Sequence, residues 1–450
     1  MGKPKDTKPA ANRRDFMKKS SLLVASSAVV GGHLSIAQAA HSFGSDEIKI
    51  GLVGCGGRGT GAAVQALNTM SKDDIKPNGK VKLIAMADAF EDRLQASYRS
   101  IKGQHGEHVD VPKERQFVGF DGYKHVLESD IDLVILATPP GFRPTHFEAA
   151  IKAGKHVFAE KPVATDAVGV RRVLAATQEA KEKSLAVQIG LQRHHEDRYR
   201  ETMKRVWDGA IGDLICGRAY WNGGGVWVRP RQDGQTELEY QMRNWYYFNW
   251  LCGDHIDEQH IHNLDVINWL KNAFPVEANG MGGRQVRTGK DHGEIFDHHF
   301  VEFTYADGFK MFSQCRHIRG CWNSVSEHAH GSNGSVNLSG VIYDRDGNKT
   351  WNYGRGGSNG HQEEHYDLFR DIRQGKIPNE GEYGAKSTMT AILGRMATYS
   401  GKAIKWEDAI NSDLALADFD NFKSYDDEAP VKPDANGNYA IPTPGVTKVL

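Results

Sequence analysis

Lys161 lies just beyond a strand-like run at 155–159 and stands between Glu160 and Pro162. An ammonium at the carboxyl end of a sheet strand can donate a hydrogen bond to a hydroxyl and stabilise the alkoxide left when the proton departs. Pro162 restricts the turn that aims it. A second group comprises His255, Glu258, His260, His262 and Asp265. If 254–271 is one helix, at about 100° per residue, His255, Glu258, His262 and Asp265 share a face, with His260 nearly opposite Glu258. Glu258 and His262 are four apart, so the carboxylate can hold the imidazole in one tautomer and raise its basicity. This is acid/base chemistry: His262 takes or gives a hydroxyl proton and Glu258 orients it. The donors His255, Glu258 and His262 also suit a metal ion, but the acid/base reading is preferred and no metal is expected. The plainest alternative, a polar helix face turned to solvent, leaves Lys161 without a partner.

A third group is the loop Gly54–Cys55–Gly56–Gly57–Arg58–Gly59. It follows the β-type run 48–53 and opens a helical stretch at 58–70. In that context the pattern binds a dinucleotide. Gly54 permits the tight turn, Gly56 lets backbone approach a pyrophosphate, and Gly59 lets the helix pack on the strand. The helix N-terminus offers free N–H groups to phosphate. Asp88 ends the next strand, 81–87, where an acid accepts hydrogen bonds from ribose hydroxyls and repels a 2′-phosphate. NAD is therefore expected, with NADP possible. Asp88 also suits a helix N-cap. The segment 71–80 reads as a surface loop.

These residues need an element to carry each. The run 132–138 is apolar from Leu133 to Ala137, as in a strand buried on both faces, and stops at Pro139. Thr138 and Pro139 thus fall at the carboxyl end of the sheet, where open α/β sheets bind ligands. Helices at 144–153 and 166–183 alternate with strands at 155–159 and 185–189. This alternation predicts a doubly wound parallel sheet over 46–190. Period-two alternation at 299–305 and 309–312, around a turn at 306–308, predicts an antiparallel sheet in a second domain over 191–425. Helices are expected at 362–373 and 384–400. Residues 426–450, rich in Pro, Asp, Asn and Gly, read as an extended tail that could wrap a neighbour.

The chain has 450 residues, enough for two domains, with 39% hydrophobic and 25% charged residues and a formal net charge of −1. Nothing in that balance points to nucleic acid or an anionic membrane. The five cysteines, at 55, 216, 252, 315 and 321, lack metal-ligand spacing and read as small buried residues, although Cys315 and Cys321 could pair. Residues 1–40 read as an address. Arg13 and Arg14 form a twin-arginine pattern, an apolar stretch runs over 22–30, and Ala37–Gln38–Ala39–Ala40 suits cleavage. That predicts export, to the periplasm or otherwise outside, of a protein already folded around its cofactor. No stretch is apolar enough for a membrane span.

The glycine loop, the acid at Asp88, Ala159–Glu160–Lys161–Pro162–Val163, Gly190–Leu191–Gln192–Arg193 and a later helix with His262 and Asp265 come in an order that resembles the glucose–fructose oxidoreductase/inositol dehydrogenase (Gfo/Idh/MocA) family. The resemblance implies an N-terminal Rossmann domain and a C-terminal α+β domain with an open, mostly antiparallel sheet that often supports oligomers. It implies a cofactor site including Gly54, Gly56, Gly57, Arg58, Gly59, Asp88, Thr138, Pro139, Glu160 and Lys161. It also implies catalytic roles for Lys161, Glu258 and His262, and substrate contacts from Arg193 and Asp265, although a salt bridge would equally explain Arg193. The family pattern Asp-x-Gly-x-His-x-x-Asp is matched at His262 and Asp265, with Glu258 in place of Asp and His260 in place of Gly. The activity so implied is NAD(P)-dependent oxidoreduction of a sugar, sugar derivative or cyclic polyol, in a homo-oligomer. Two rivals are a glycosidase or lyase working through a transient keto-sugar, and a non-catalytic sugar-binding protein.

Overall fold

The protein is described by a computed structural model over residues 47–71 and 79–450. The candidate signal at 1–40, and most of the loop expected at 71–80, lie outside the described residues.

The first half alternates strand and helix: β1 Glu47–Val53, α1 Gly57–Asn68, β2 Lys80–Asp88, α2 Glu91–His105, β3 Gln116–Val118, α3 Gly122–Glu128, β4 Leu133–Leu136, α4 Arg143–Lys152, β5 His156–Ala159, α5 Ala167–Glu182 and β6 Val187–Ile189. Its six strands lie in the order β3-β2-β1-β4-β5-β6, all parallel. That is the order in which β1 and β4 flank the point where the winding reverses. The apolar runs are explained by their two faces. Leu133 and Ile135 of β4 enter one core with Ala62, Leu94 and Ile101 from α1 and α2. Val134 and Leu136 enter another with Phe147 and Val170 from α4 and α5. A strand covered on both sides has no polar face to show.

The second half contains α6 Asp197–Trp207, β7 Leu214–Gly223, α7 Glu237–Arg243, α8 Asn249–Cys252, α9 Asp254–Glu258, α10 Ile261–Lys271, β8 Glu277–Gly283, β9 His298–Thr304, β10 Lys310–His317, β11 Ser324–Gly331, β12 Gly334–Asn337, β13 Val341–Asp344, β14 Lys349–Asn352, α11 Gly360–Arg373, α12 Gly381–Ser400, β15 Ile404–Lys405 and α13 Trp406–Ile410. Nine strands form one sheet, β14-β13-β12-β11-β7-β10-β9-β8-β15. Only β7 with β10 is parallel; the other neighbours are antiparallel. Alternation along β9 buries His299, Val301 and Phe303 and leaves His298, Phe300 and Glu302 half-covered. The buried face packs on α12, whose Met389, Ile392 and Leu393 join the same core as α4 and α5. The two sheets therefore share a continuous core, and the expected fold class holds.

Three expectations change. The helix expected over 254–271 is two helices. Gln259 and His260 both donate backbone N–H to His255 O, at 3.1 Å, and the chain restarts at Ile261. The extra residue in that turn rotates His255 out of line with His262. The residues from 426 on are free of helix and strand, as expected of an extended segment, but they pack on their own chain. Tyr439 lies edge-on to Phe248 at 4.9 Å and donates to Glu237 at 2.5 Å, and Val449 is buried. All five cysteines are free; Cys315 is buried and Cys321 exposed. No described helix is long and apolar enough to cross a membrane.

Candidate active site

A cleft of about 380 Å³ opens at the carboxyl ends of β1, β2 and β4. One wall is the glycine loop, with Asp88, Thr138 and Pro139; the other is the second domain, with Trp227, Arg229, Tyr246 and Glu258. Gly54 has φ +97°, and a Cβ there would lie 2.5 Å from Ala137 C and Thr138 N. A Cβ on Gly59 would lie 1.8 Å from Gly54 O. Both glycines are thus required by the protein's own packing. Gly56 and Gly57 differ: a Cβ on either meets nothing within 4 Å, and both line the cleft. Backbone N–H groups at the start of α1 are thereby open to an anion. The cradle fits a dinucleotide pyrophosphate.

Asp88 braces this loop. Its Oδ2 accepts the Cys55 N–H at 2.6 Å and its Oδ1 accepts the Phe90 N–H at 2.8 Å. Burial pushes its carboxyl up, against the pull of those two donors. Each oxygen retains a lone pair on the cleft side for a ribose hydroxyl. Phe90 stacks on Tyr425 at 5.2 Å and 8°, so the C-terminal segment packs at the edge of the cleft. Thr138 Oγ1 lies 3.2 Å from His146 Nδ1, and its carbonyl accepts from the buried Arg143.

β5 delivers Glu160 and Lys161. Arg58 Nε lies 2.6 Å from Glu160 Oε1, an ion contact joining the glycine loop to the end of β5. The Lys161–Pro162 peptide is cis. Lys161 Nζ donates to Glu258 O at 2.5 Å and to Glu258 Oε1 at 3.0 Å. Both side chains are only 11% exposed. Glu258 Oε2 is buried and accepts no hydrogen bond. The pair thus has an ammonium N–H and a carboxylate oxygen left over, beside a cleft that Glu258 lines.

Glu258 reaches this place because α9 is anchored. Gly253 (φ +73°) and Asp254 (φ +66°) are both left-handed. Arg395 from α12 donates to Gly253 O at 3.0 Å and to Thr165 O at 2.6 Å. Asp257 is buried with neither carboxyl oxygen bonded, and burial pushes its carboxyl well up against the pull of Arg395 and Lys161.

His262 is buried, with its ring 6.1 Å from Trp221 and nearly parallel to it. Its nitrogens make no hydrogen bond among the described residues. Burial first, then Lys161 and Arg193, hold its imidazole well below its usual range. It is neutral. The expected Glu258–His262 bond is replaced by Glu258–Lys161.

Other expected residues lie elsewhere. Arg193 is buried in an ion pair with Glu327, which also accepts Tyr199 OH at 2.9 Å. Asp265 accepts Ser387 OH at 2.7 Å and lies 2.8 Å from His194 Nε2. Both are committed to protein partners. His255 belongs to a separate buried knot with Asp254 and His299, whose donor atoms all lie within 4.8 Å. Asp254 there already accepts Tyr399 OH and the Phe296 N–H, at 2.6 and 2.9 Å. His255, Glu258 and His262 therefore do not converge as a ligand set. Trp227, Trp245 and Tyr246, whose rings could stack on a sugar face or form core, do line the cleft, whereas the sequence reading missed Arg229 on its wall and Asp257 beside Glu258.

Residues 48–190 match GFO_IDH_MocA, an oxidoreductase family with a NAD-binding Rossmann fold. The chain is 28% identical over 232 residues to inositol 2-dehydrogenase of Klebsiella pneumoniae (strain 342), covering 50% of this chain and 55% of that one. It thus spans little more than half the length of that curated relative. In fold it is similar to myo-inositol 2-dehydrogenase from Lactobacillus plantarum, with TM-score 0.60, 22% identity, 80% of this chain and 99% of that one. A levoglucosan dehydrogenase in complex with NADH and levoglucosan gives TM-score 0.61, 15% identity, 80% and 99%. The match over residues 48–190 is thus to the NAD-binding Rossmann fold of that oxidoreductase family.

Proposed function

We propose that the protein interconverts a secondary alcohol and a ketone on a sugar, sugar derivative or cyclic polyol, with NAD as its hydride partner. The observation that carries this is the Lys161–Glu258 pair, buried beside the dinucleotide cleft with an unused donor and an unused acceptor. Bound nicotinamide supplies the hydride acceptor. Lys161 donates to the substrate hydroxyl and stabilises the alkoxide. Glu258 Oε1 holds the Lys161 ammonium in position to do so. His262, neutral and without a protein hydrogen bond on its ring, is free to receive the proton. Asp88 favours NAD over NADP.

The reading includes export through the twin-arginine route suggested by residues 1–40. A protein exported folded keeps its cofactor, so turnover is redox-neutral, one substrate oxidised and another reduced. The aromatic packing of Phe90 and Tyr425 at the cleft edge supports slow release. It also includes self-association. The face of the large sheet away from α12 carries the row Met281, Phe300, Gln314, Tyr220 and Ser326 in register, with Met281 73% exposed.

The test is to purify the protein, denature it and identify released nucleotide, then assay a panel of sugars and inositols. NAD is expected in the supernatant, and Lys161→Ala is expected to lower kcat/KM at least about a hundredfold. An unchanged rate in that variant overturns the assignment. Light scattering on the same preparation should give a mass above the 49.9 kDa of one chain; one-chain mass removes the self-association.

A further inference from the structure

The turn between α9 and α10 leaves one side chain open. From Leu251 to Asn268 every residue is buried except Gln259, which is half-buried. Its chain neighbours are already engaged. Glu258 Oε1 is 3.0 Å from Lys161 Nζ, and His260 Nε2 lies 2.8 Å from Ser313 Oγ. Gln259 is fixed by its backbone, whose N–H donates to His255 O at 3.1 Å and whose carbonyl accepts the His262 N–H at 3.4 Å. The residue lines the same cleft of about 380 Å³ as Glu258, Thr138 and Pro139. Among the described residues its amide has no hydrogen-bond partner, and neither the amide oxygen nor the amide nitrogen is sealed from solvent.

The other charged or hydroxyl-bearing side chains of this wall are engaged, sealed or placed elsewhere. Arg243 is paired with Asp92 and Glu239 and stands over Phe90 at 4.0 Å, at the ribose end of the cleft. Arg229 stands over Trp227 at 4.8 Å. The Tyr246 hydroxyl is sealed without a partner. Arg193 and Asp265 are committed to Glu327, Ser387 and His194. What remains next to the Lys161–Glu258 pair is one open amide, with an oxygen that accepts and an NH2 that donates twice. A sugar or polyol hydroxyl both gives and takes a hydrogen bond, so a neutral amide matches it and brings no charge to be desolvated. A site built to bond a hydroxyl rejects the analogue lacking it, because its own polar atoms are then left unpaired. In the pattern Asp-x-Gly-x-His-x-x-Asp, Gln259 takes the first unspecified position, to which the pattern gives no role.

We propose that Gln259 is a specificity-determining residue of this site. Its amide bonds a substrate hydroxyl other than the one oxidised, and so discriminates a polyhydroxylated ring from an isolated secondary alcohol. This rests on the function proposed above.

The test titrates the NADH-loaded protein, following its fluorescence, with myo-inositol, D-glucose, the monodeoxy analogues of whichever binds tighter, and cyclohexanol. Wild type, Gln259→Leu, Gln259→Ala and Lys161→Ala are compared. Gln259→Leu should weaken the tighter polyol at least about tenfold and NADH less than twofold. Cyclohexanol, which has no second hydroxyl, should not distinguish the variant from wild type. One deoxy analogue should also bind the two alike, because the hydroxyl that the amide bonds is missing from it. If every analogue loses as much as the parent polyol, the variant acts through shape and the inference falls. If Gln259→Leu does not fold, Gln259→Ala is judged by the same comparison. Polyol binding within twofold of wild type in the folded Gln259 variants, with Lys161→Ala weakened, overturns the inference and leaves the proposed function standing. A wild-type protein that binds NADH but neither polyol overturns the reading beneath it.

Discussion

Asp88 does two jobs with one carboxylate. It fixes the glycine loop through Cys55 N–H and end of β2 through Phe90 N–H, and it presents oxygens to the ribose side of the cleft. Hydrogen bonds to a charged group are worth about 1.5–3 kcal/mol each. Asp88→Ala is therefore expected to weaken NADH at least about tenfold. It also removes the charge that opposes a 2′-phosphate, while Arg93 and Arg229 stay on the cleft wall. NADPH should lose less than NADH, so the preference narrows. Paired fluorescence titrations check this, and an unchanged NADH-to-NADPH ratio sinks it. At this scale the sequence was legible where chemistry is local. The glycine loop, Asp88 and Lys161 are read from neighbours a few positions away. The partners of Lys161 and Arg193 lie 97 and 134 residues distant, and no spacing rule reaches them. Arg193 reads equally as a substrate contact or a salt bridge until Glu327 is seen beside it.

The break between α9 and α10 is the element on which the site turns. A straight helix would set His255, Glu258 and His262 on one face. The turn through Gln259 and His260 sends His255 into the Asp254–His299 knot and leaves Glu258 to Lys161. Periodicity could not show this, because the signal is backbone geometry at Gly253 and Asp254, fixed by Arg395 from a helix 142 residues away. Gly253→Ala is expected to damage both fold and site. The left-handed backbone costs an L-residue about 1–2 kcal/mol. The new Cβ would also sit 2.0 Å from Asp257 Oδ2. Gly209 is the control: its φ is +91°, but a Cβ there meets nothing within 4 Å. Gly209→Ala should lose only the backbone term. Denaturant melts should show Gly253→Ala the less stable by at least about 1 kcal/mol, with lower kcat as Glu258 shifts. Equal losses in the two variants would remove the role given to this turn. α2 and β3 show the opposite failure. Leu94, Ser97 and Ile101 mark the buried stripe of α2 plainly once seen, but its polar composition hides it.

On the scale of the whole molecule, alternation of strand and helix was enough to read the first sheet, because each strand is buried on both faces. The order of the nine-stranded sheet was not readable, since β7 pairs with β10 and β11 across long intervals of chain. What the finished fold adds is a store of buried ionisable groups, and these set its response to acid. Burial above all holds His146 and His260 to about 3 and His156, His255 and His328 to about 4, with His262 and His365 also well below their usual range. Unfolded histidines bind protons near 6.5. Below that pH the unfolded chain takes up protons that the folded chain refuses, so stability is full above about 6.5 and falls as pH drops. Asp257, Glu294 and Glu364 act in the other direction. Burial raises them, Glu294 and Glu364 to about 7, so their contribution is greatest below about 4.5 and is lost as pH rises toward 7. Burial lowers His195, but Asp367 and Glu380 outweigh it and carry it to about 9, so its contribution is lost between about 6.5 and 9. Between about 4.5 and 6.5 the lowered histidines, with His105, His292, His317 and His330 added, outnumber the raised acids, with Asp88, Asp132, Glu196 and Glu327 added, and stability should climb. Above 7 the His195 contribution is lost, and the thiols of Cys55, Cys252 and Cys315, raised by burial, add to the loss as pH nears 9, so stability should decline over this range. Urea midpoints taken across pH 4.5–9 should therefore peak near 6.5–7 with the steeper limb on the acid side. A midpoint flat or falling from 4.5 to 6.5 would mean that the buried histidines take up protons in the folded state, and with them the neutral His262 on which the proposed proton transfer depends.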